Sequence, residues 1–249
     1  MSEPILVTDE GGIRTIRMNR PEKKNALTLA MYGAMASALR EASGADATRC
    51  VVFAGAPGAF CAGNDIADFL KAGDGGGLDL RAVAFLKALA ESRKPIVAAV
   101  GGVAVGVGTT MLLHCDHVVA AAEATFSTPF LRLGLIPEAA STMLAPARMG
   151  YARAFAMLAM GRTLSAPEAR DAGIVNTVVA AAEVDAAALA AAREIAALPP
   201  GALAIARTLM RGPAGPIIER IEAETTHFRE LLDSDEARAA FQAFFARKK

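Results

Sequence analysis

An α/β fold with a helical second half is what this 249-residue sequence predicts. Three observations carry the prediction. Short apolar runs rich in β-branched residues (CVVFAG, PIVAAV and HVVAA) alternate with helical segments in the first half, as buried parallel strands do. Beyond about Pro129 the chain reads as nearly all helix. The composition, 53% apolar but only 5% aromatic and rich in alanine, suits many packed helices around a generous core.

Taken in order, ILVTDEGGIRTIRMN predicts two strands joined by a turn at Gly11 and Gly12. Residues 28–42 have helical composition, with Thr28 as the N-cap. AGDGGGLD, residues 72–79, reads as a mobile surface loop. Helices are expected over 80–92 and 107–115, between the apolar strands. The second half predicts helices over 151–160, 166–172, 184–198, 201–210, 216–232 and 235–247, with NTVV (176–179) as a strand between them. Such a helical tail covers a neighbour, completes an oligomer or packs on its own core.

The bulk properties exclude several classes. Lys plus Arg and Asp plus Glu are both 26, so nothing points to nucleic acid or to a strongly acidic partner. Three widely spaced cysteines (Cys50, Cys61, Cys115) read as buried thiols, not a disulfide framework. PIVAAVGGVAVGVGTTMLL (95–113) is uncharged, but its glycines divide it into a buried strand, a turn and a buried helix, so no membrane span is expected. MSEPILVTDE lacks the pattern of a secretory signal and the final RKK is not a peroxisomal address, so a cytoplasmic location is expected.

Two loops have the makings of chemistry. GAFCAGNDIADF (58–69) follows the strand CVVFAG, and GGVAVGVGTTML is again a strand, a glycine turn and a helix. Each presents backbone N–H groups at a helix start, and two such clusters converging on one carbonyl oxygen stabilise developing negative charge. Taken singly, each reads more readily as an ordinary tight turn, and neither has dinucleotide or P-loop spacing.

NRPEKKNALT (19–28), GAFCAGNDI, KPIVAAVGGVAVGVGTT and FSTPFLRLGLIPEAAS occur in the order and spacing of the crotonase superfamily, the enoyl-CoA hydratases and isomerases. The likeness continues through GRTLSAPEARDAGIVNTVV and LPPGALAIARTLM. The resemblance implies a crotonase (ClpP-like) spiral of ββα units over residues 1–195 and a helical trimerisation region over 196–249. It also implies a homotrimer or dimer of trimers, an acyl-CoA thioester substrate, and no cofactor beyond the coenzyme A of that substrate. The oxyanion donors it implies are the backbone amides of Asn64 and Val107, where Val107 replaces a glycine common in hydratases. The same resemblance places coenzyme A near Lys23, Lys24, Ala26, Ala62, Asp65 and Ile66, although solvated lysines are an equal reading of Lys23 and Lys24. It puts the acyl chain near Phe69, Leu70 and Phe130, which are equally readable as core. Phe244, Phe245, Arg247 and Lys248 match the family's neighbouring-subunit contacts only loosely.

Within the family, hydration engages two carboxylates. Those positions here hold Thr110 and Phe130, and neither is a general base near neutrality. GNDI and LGLIPEAAS resemble the peroxisomal-type Δ3,Δ2-enoyl-CoA isomerase branch, in which one glutamate, matching Glu138, takes a proton from C2 and returns it at C4. Pro137 suggests a helix start, whose dipole favours charged Glu138. Apolar Leu135 and Ile136 push the other way. A first-turn glutamate that only stabilises its helix is the plain alternative. A hydratase and a non-catalytic acyl-CoA binding module are the rival functions. His114, Cys115, Asp116 and His117 do not make a metal site, since their side chains are expected to diverge. No serine has a nucleophile-elbow setting, and Cys61 reads as a buried wall residue.

Overall fold

The computed structural model describes residues 3–65 and 80–246, with the side chains of Phe244 and Phe245 set aside. The expected loop at 72–79 and the candidates Ile66, Phe69, Leu70, Arg247 and Lys248 lie outside the described residues. Strands β1 (Ile5–Glu10) and β2 (Ile13–Met18) form the predicted hairpin across Gly11 and Gly12. Helix α1 (Leu29–Gly44) starts at Thr28, whose side chain accepts from the Met31 amide, the N-cap bond its sequence position predicts. Strands β3 (Cys50–Gly55) and β4 (Ala59–Cys61) follow, then helix α2 (Leu80–Glu91), strands β5 (Ile96–Val100) and β6 (Val103–Val105), and helix α3 (Val107–Thr110). Strands β7 (His117–Ala121) and β8 (Thr125–Ser127) lead into helices α4 (Ser141–Met149) and α5 (Tyr151–Leu158). The chain ends with β9 (Leu164–Ser165), α6 (Ala166–Asp171), β10 (Thr177–Val179), α7 (Val184–Ala197), α8 (Pro200–Arg211), α9 (Ala214–Leu232) and α10 (Asp235–Ala246).

Two sheets result. The six-stranded sheet runs β1-β2-β3-β5-β7-β10 and is parallel from β2 onward; the four-stranded sheet runs β4-β6-β8-β9. From β3 to β8, each strand added to the large sheet is followed by a short strand of the small one. Strands β3, β5 and β7 are buried along nearly their whole length, which is why they read as continuous apolar runs.

Three expectations change. The helix predicted over 107–115 is four residues of α3 followed by a 3-10 turn, Met111–His114. Valine, glycine and two threonines are weak helix formers, so i→i+3 bonds take over. The small-residue stretch at 58–64 includes strand β4, and β9 lies within the half expected to hold NTVV alone. Strands of two or three residues are too short to leave a period-two pattern.

The core carries the site on its flank. Phe85 of α2 packs edge-on against Phe53 of β3, with centroids 6.0 Å apart, and at 5.6 Å against Tyr32 of α1. Each fully buried aromatic contributes about 1.5–3 kcal/mol of hydrophobic free energy. Below β5 and β7, at the residues that lead into them, Arg207 donates from Nε to both Asp116 oxygens at 2.9 and 3.0 Å and from Nη1 to the Ser92 carbonyl. That set locks α8 across the ends of β5 and β7. Among the described residues no single helix is long and apolar enough to cross a membrane.

Candidate active site

The short strands of the small sheet deliver the two candidate amides to one place. Leu27 donates to the Gly63 carbonyl at 2.8 Å and accepts from the Asp65 amide at 2.8 Å. This parallel bridge leaves the Asn64 N–H pointing away from Leu27. Val107 is the first residue of α3, so its N–H has no partner within the helix. Gly106 caps that helix at φ +56, a conformation open to glycine. A Cβ on Gly108 would meet the Cys61 carbonyl at 2.7 Å, so only glycine lets α3 approach β4 this closely.

Asn64 and Val107 both line a cavity of about 130 Å³ whose other walls include Phe130, Leu133, Leu135, Phe228 and Phe241. Phe130, expected near the acyl chain, lines this cavity, and α9 and α10 of the same chain contribute Phe228 and Phe241. Larger clefts, of about 420, 440 and 290 Å³, lie elsewhere and are lined by neither Asn64 nor Val107. The amide pair in its wall makes the smaller cavity the candidate site.

Glu138 is 5% exposed and lies outside the described walls of that cavity. Thr110 Oγ1 donates to its Oε1 at 2.5 Å. Burial raises its pKa to about 8, against the lowering effect of the Thr110 hydrogen bond, and the charge of Glu224 raises it further. The expected helix start at Pro137 is corrected: α4 begins at Ser141, and Glu138 precedes a tight turn at Ala139 and Ala140. Helix-dipole stabilisation of the charged form is lost, and desolvation decides the balance the sequence left open.

Tyr32 donates to Asn64 Oδ1 at 2.5 Å and is itself buried, its phenol pushed up by desolvation and by the charge of Glu138. Cys61 is likewise raised by burial, to about 12, so it is a thiol wall residue and not a nucleophile. His114 donates from Nε2 to the Ala139 carbonyl, 2.8 Å away, while Asp116 is taken up by Arg207.

The coenzyme A candidates come together through backbone bonds. The Ala62 amide donates to the Lys24 carbonyl at 3.0 Å and Ala26 to Lys23 at 3.1 Å. Arg20 donates to Asp65 Oδ2 from both Nη atoms at 3.1 Å, so the Asp65 carboxylate is already engaged. Lys23 and Lys24 are exposed on the 3-10 turn at Pro21–Lys23. Buried Asn25, which sequence reading passed over, ties this segment to the Ala56 and Ala59 carbonyls. Glu224 was passed over too, and a signal was present: it continues the buried stripe Ile217, Ile221, Glu224, Phe228 at helical spacing. A carboxylate on an apolar stripe is a group with a buried partner.

Residues 8–249 match the enoyl-CoA hydratase/isomerase family. The chain is 38% identical to "Enoyl-CoA delta isomerase 2" of Rattus norvegicus, covering 99% of this chain but 64% of that relative. It is 32% identical to "1,2-epoxyphenylacetyl-CoA isomerase" of Escherichia coli (strain K12), covering 100% of this chain and 97% of that one. An enoyl-CoA hydratase/isomerase crystal structure from Pseudoalteromonas atlantica T6c superimposes with a TM-score of 0.93 at 37% identity, covering 98% of each chain. The fold is thus the crotonase spiral, and the chain belongs to the enoyl-CoA hydratase/isomerase family.

Proposed function

We propose that the protein moves a carbon–carbon double bond in an enoyl-CoA from the 3,4 to the 2,3 position, with Glu138 as its single acid/base. The pairing of Thr110 with Glu138 carries this reading. Thr110 occupies a place where resemblance to hydratases calls for a carboxylate, and it serves Glu138 instead. Phe130 occupies the other such place and lines an apolar wall. The delta isomerase name of a relative 38% identical over 99% of this chain supports the same reading.

In this reaction charged Glu138 takes a proton from C2. The C–H electron pair enters a dienolate whose charge rests largely on the thioester oxygen, opposite the Asn64 and Val107 amides. The protonated carboxyl then delivers that proton to C4, the thioester carbonyl re-forms, and the double bond is left between C2 and C3. No atom is gained or lost, and water is not a reactant. A carboxyl raised to about 8 holds a proton firmly enough to return it, yet gives it up in the working pH range. The stitched segment around Lys24, Ala26 and Ala62 receives the coenzyme A, which is part of the substrate. Exposed Ile205, Leu209 and Met210 on α8 support assembly as a homotrimer or a dimer of trimers.

Product analysis by mass tests the reading, using trans-3-hexenoyl-CoA and, separately, crotonyl-CoA in ¹⁸O-water. Conjugated isomer from the first and no ¹⁸O in the second is the expected result; labelled 3-hydroxybutyryl-CoA would make the protein a hydratase. Glu138→Gln is expected to keep coenzyme A binding and lose about 100-fold or more in turnover.

A further inference from the structure

The backbone just after Glu138 is strained and is held from both sides. Ala139 and Ala140 sit at φ +63 and +54, a conformation costing non-glycine residues roughly 1–3 kcal/mol each. Both are fully buried, and the Ser141 amide closes the turn on the Glu138 carbonyl at 3.1 Å. A type I′ turn of this kind favours asparagine and glycine, so an alanine pair persists here only because its surroundings fix it.

Two buried side chains do that. Glu224 of α9, 3% exposed, accepts from the Ala140 amide at 2.6 Å through one oxygen. Its other oxygen accepts from the Thr142 amide at 3.0 Å and hydroxyl at 2.6 Å. His114, 2% exposed, faces the Ala139 carbonyl with Nε2 at 2.8 Å. Arg211 Nη2 lies 3.5 Å from His114 Nδ1. A guanidinium only donates, so Nδ1 is the acceptor and Nε2 carries the proton given to Ala139. The turn is thus gripped at one carbonyl and one amide, by side chains from two elements distant in sequence.

We propose that Glu224 and His114 are positioning residues for Glu138, holding the strained Ala139–Ala140 turn so that the carboxylate stays fixed against Thr110. The proposal rests on Glu138 being the base. Misplacing a catalytic group by about 1 Å can cost up to 100-fold in rate, whereas a group that only caps α4 would affect stability alone.

Steady-state kinetics on trans-3-hexenoyl-CoA separate these roles, with Glu138→Gln run alongside. Glu224→Leu leaves no acceptor oxygen, so the Ala140 amide loses its grip. Its kcat should fall about tenfold or more with KM within about threefold. Thr142→Val removes a bond of similar strength to Glu224 but leaves the Ala140 grip; it should lower the melting temperature and keep kcat. His114→Leu should lose kcat in the same way, and His114→Gln, which keeps a donor, should recover most of it. If Glu224→Leu does not fold, the two His114 variants decide between the roles. Wild-type kcat in both Glu224→Leu and His114→Leu, with Glu138→Gln inactive, overturns the positioning role and leaves the base assignment intact. Retained turnover in Glu138→Gln removes the base assignment, and the positioning role with it.

Discussion

The two sheets divide the work of this molecule unequally. The large sheet is a packing device: β3, β5 and β7 bury nearly every side chain. The small sheet has strands of only two or three residues, too short to build a core. Its strands instead end at chemistry. Strand β4 runs into Asn64, β6 into Val107 and β8 into Phe130. A fold can therefore be stabilised by one layer and equipped by another, and mutations in the two should separate stability from activity.

The largest effect is expected in the large sheet. Phe53, fully buried and packed edge-on against Phe85, should cost about 3–5 kcal/mol when changed to alanine, by lost transfer free energy and the cavity left behind. Urea unfolding measures the loss. The turnover of the folded fraction should stay near wild type, because neither Phe53 nor Phe85 lines the candidate site. A selective loss of kcat would show that the layers are not separable.

Legibility in the sequence follows the same division. CVVFAG and PIVAAV announce themselves because a strand buried on both faces needs an unbroken apolar run. The small sheet leaves no period to read, so β4 looks like a turn. Asn64, Val107 and Glu138 were reached through motifs in register with a family, since a backbone donor has no residue type and a lone glutamate has no pattern. Glu224 sits among Glu219 and Glu222 in a helix rich in charge. Only its place on the Ile217–Phe228 stripe distinguishes it, and its partners, the amides of Ala140 and Thr142, lie 84 and 82 residues away. The turn conformation of Ala139 and Ala140 was not legible at all, because an alanine pair carries none of the glycine or asparagine signal of positive φ.

In the small-sheet layer, stability and activity should oppose each other. Glu138 has its folded pKa raised from an ordinary 4.5 to about 8. The folded chain therefore binds this proton more tightly than the unfolded one. Its contribution is complete below about pH 4.5 and is lost as pH rises through 8. Glu138→Gln removes that loss, so its melting temperature should exceed wild type by a margin that grows from pH 5 to pH 9. Over the same range the wild-type kcat/KM should rise, since the base must be charged. A margin independent of pH would mean that Glu138 is not held neutral in the fold.

Thr110→Val should act on that titration with less effect on the fold. The hydroxyl donates to the charged carboxylate, and hydrogen bonds to charged groups contribute about 1.5–3 kcal/mol. Removing it should carry the alkaline rise in kcat/KM upward by about one pH unit. At pH 6 the melting temperature should change little. With Glu138 protonated there, the Thr110 hydroxyl still has the Gly106 and Val107 carbonyls 3.4 and 3.5 Å away, and their bonds are long and weak. A rise that stays in place would detach Thr110 from the titration of Glu138.

The smallest effect compares the layers most directly, because the substitution and the burial are the same and only the backbone differs. Ala98 lies in mid-strand in β5, and Ala140 lies in the turn after Glu138; both are fully buried. Changing Ala98 to glycine loses a buried methyl, about 0.8 kcal/mol, and adds about 0.5–1 kcal/mol of backbone entropy cost. Unfolding should show a loss of roughly 1–2 kcal/mol. Ala140→Gly bears the same two costs, but it also releases an alanine from φ +54, a relief of about 1–2 kcal/mol. Its stability should stay within about 0.5 kcal/mol of wild type. The turnover should move the other way: unchanged for Ala98→Gly, and reduced a few-fold for Ala140→Gly, because glycine no longer confines the turn that carries Glu138. Equal destabilisation by the two would mean that the Ala140 conformation stores no strain, and the grip of Glu224 and His114 would then have nothing to oppose.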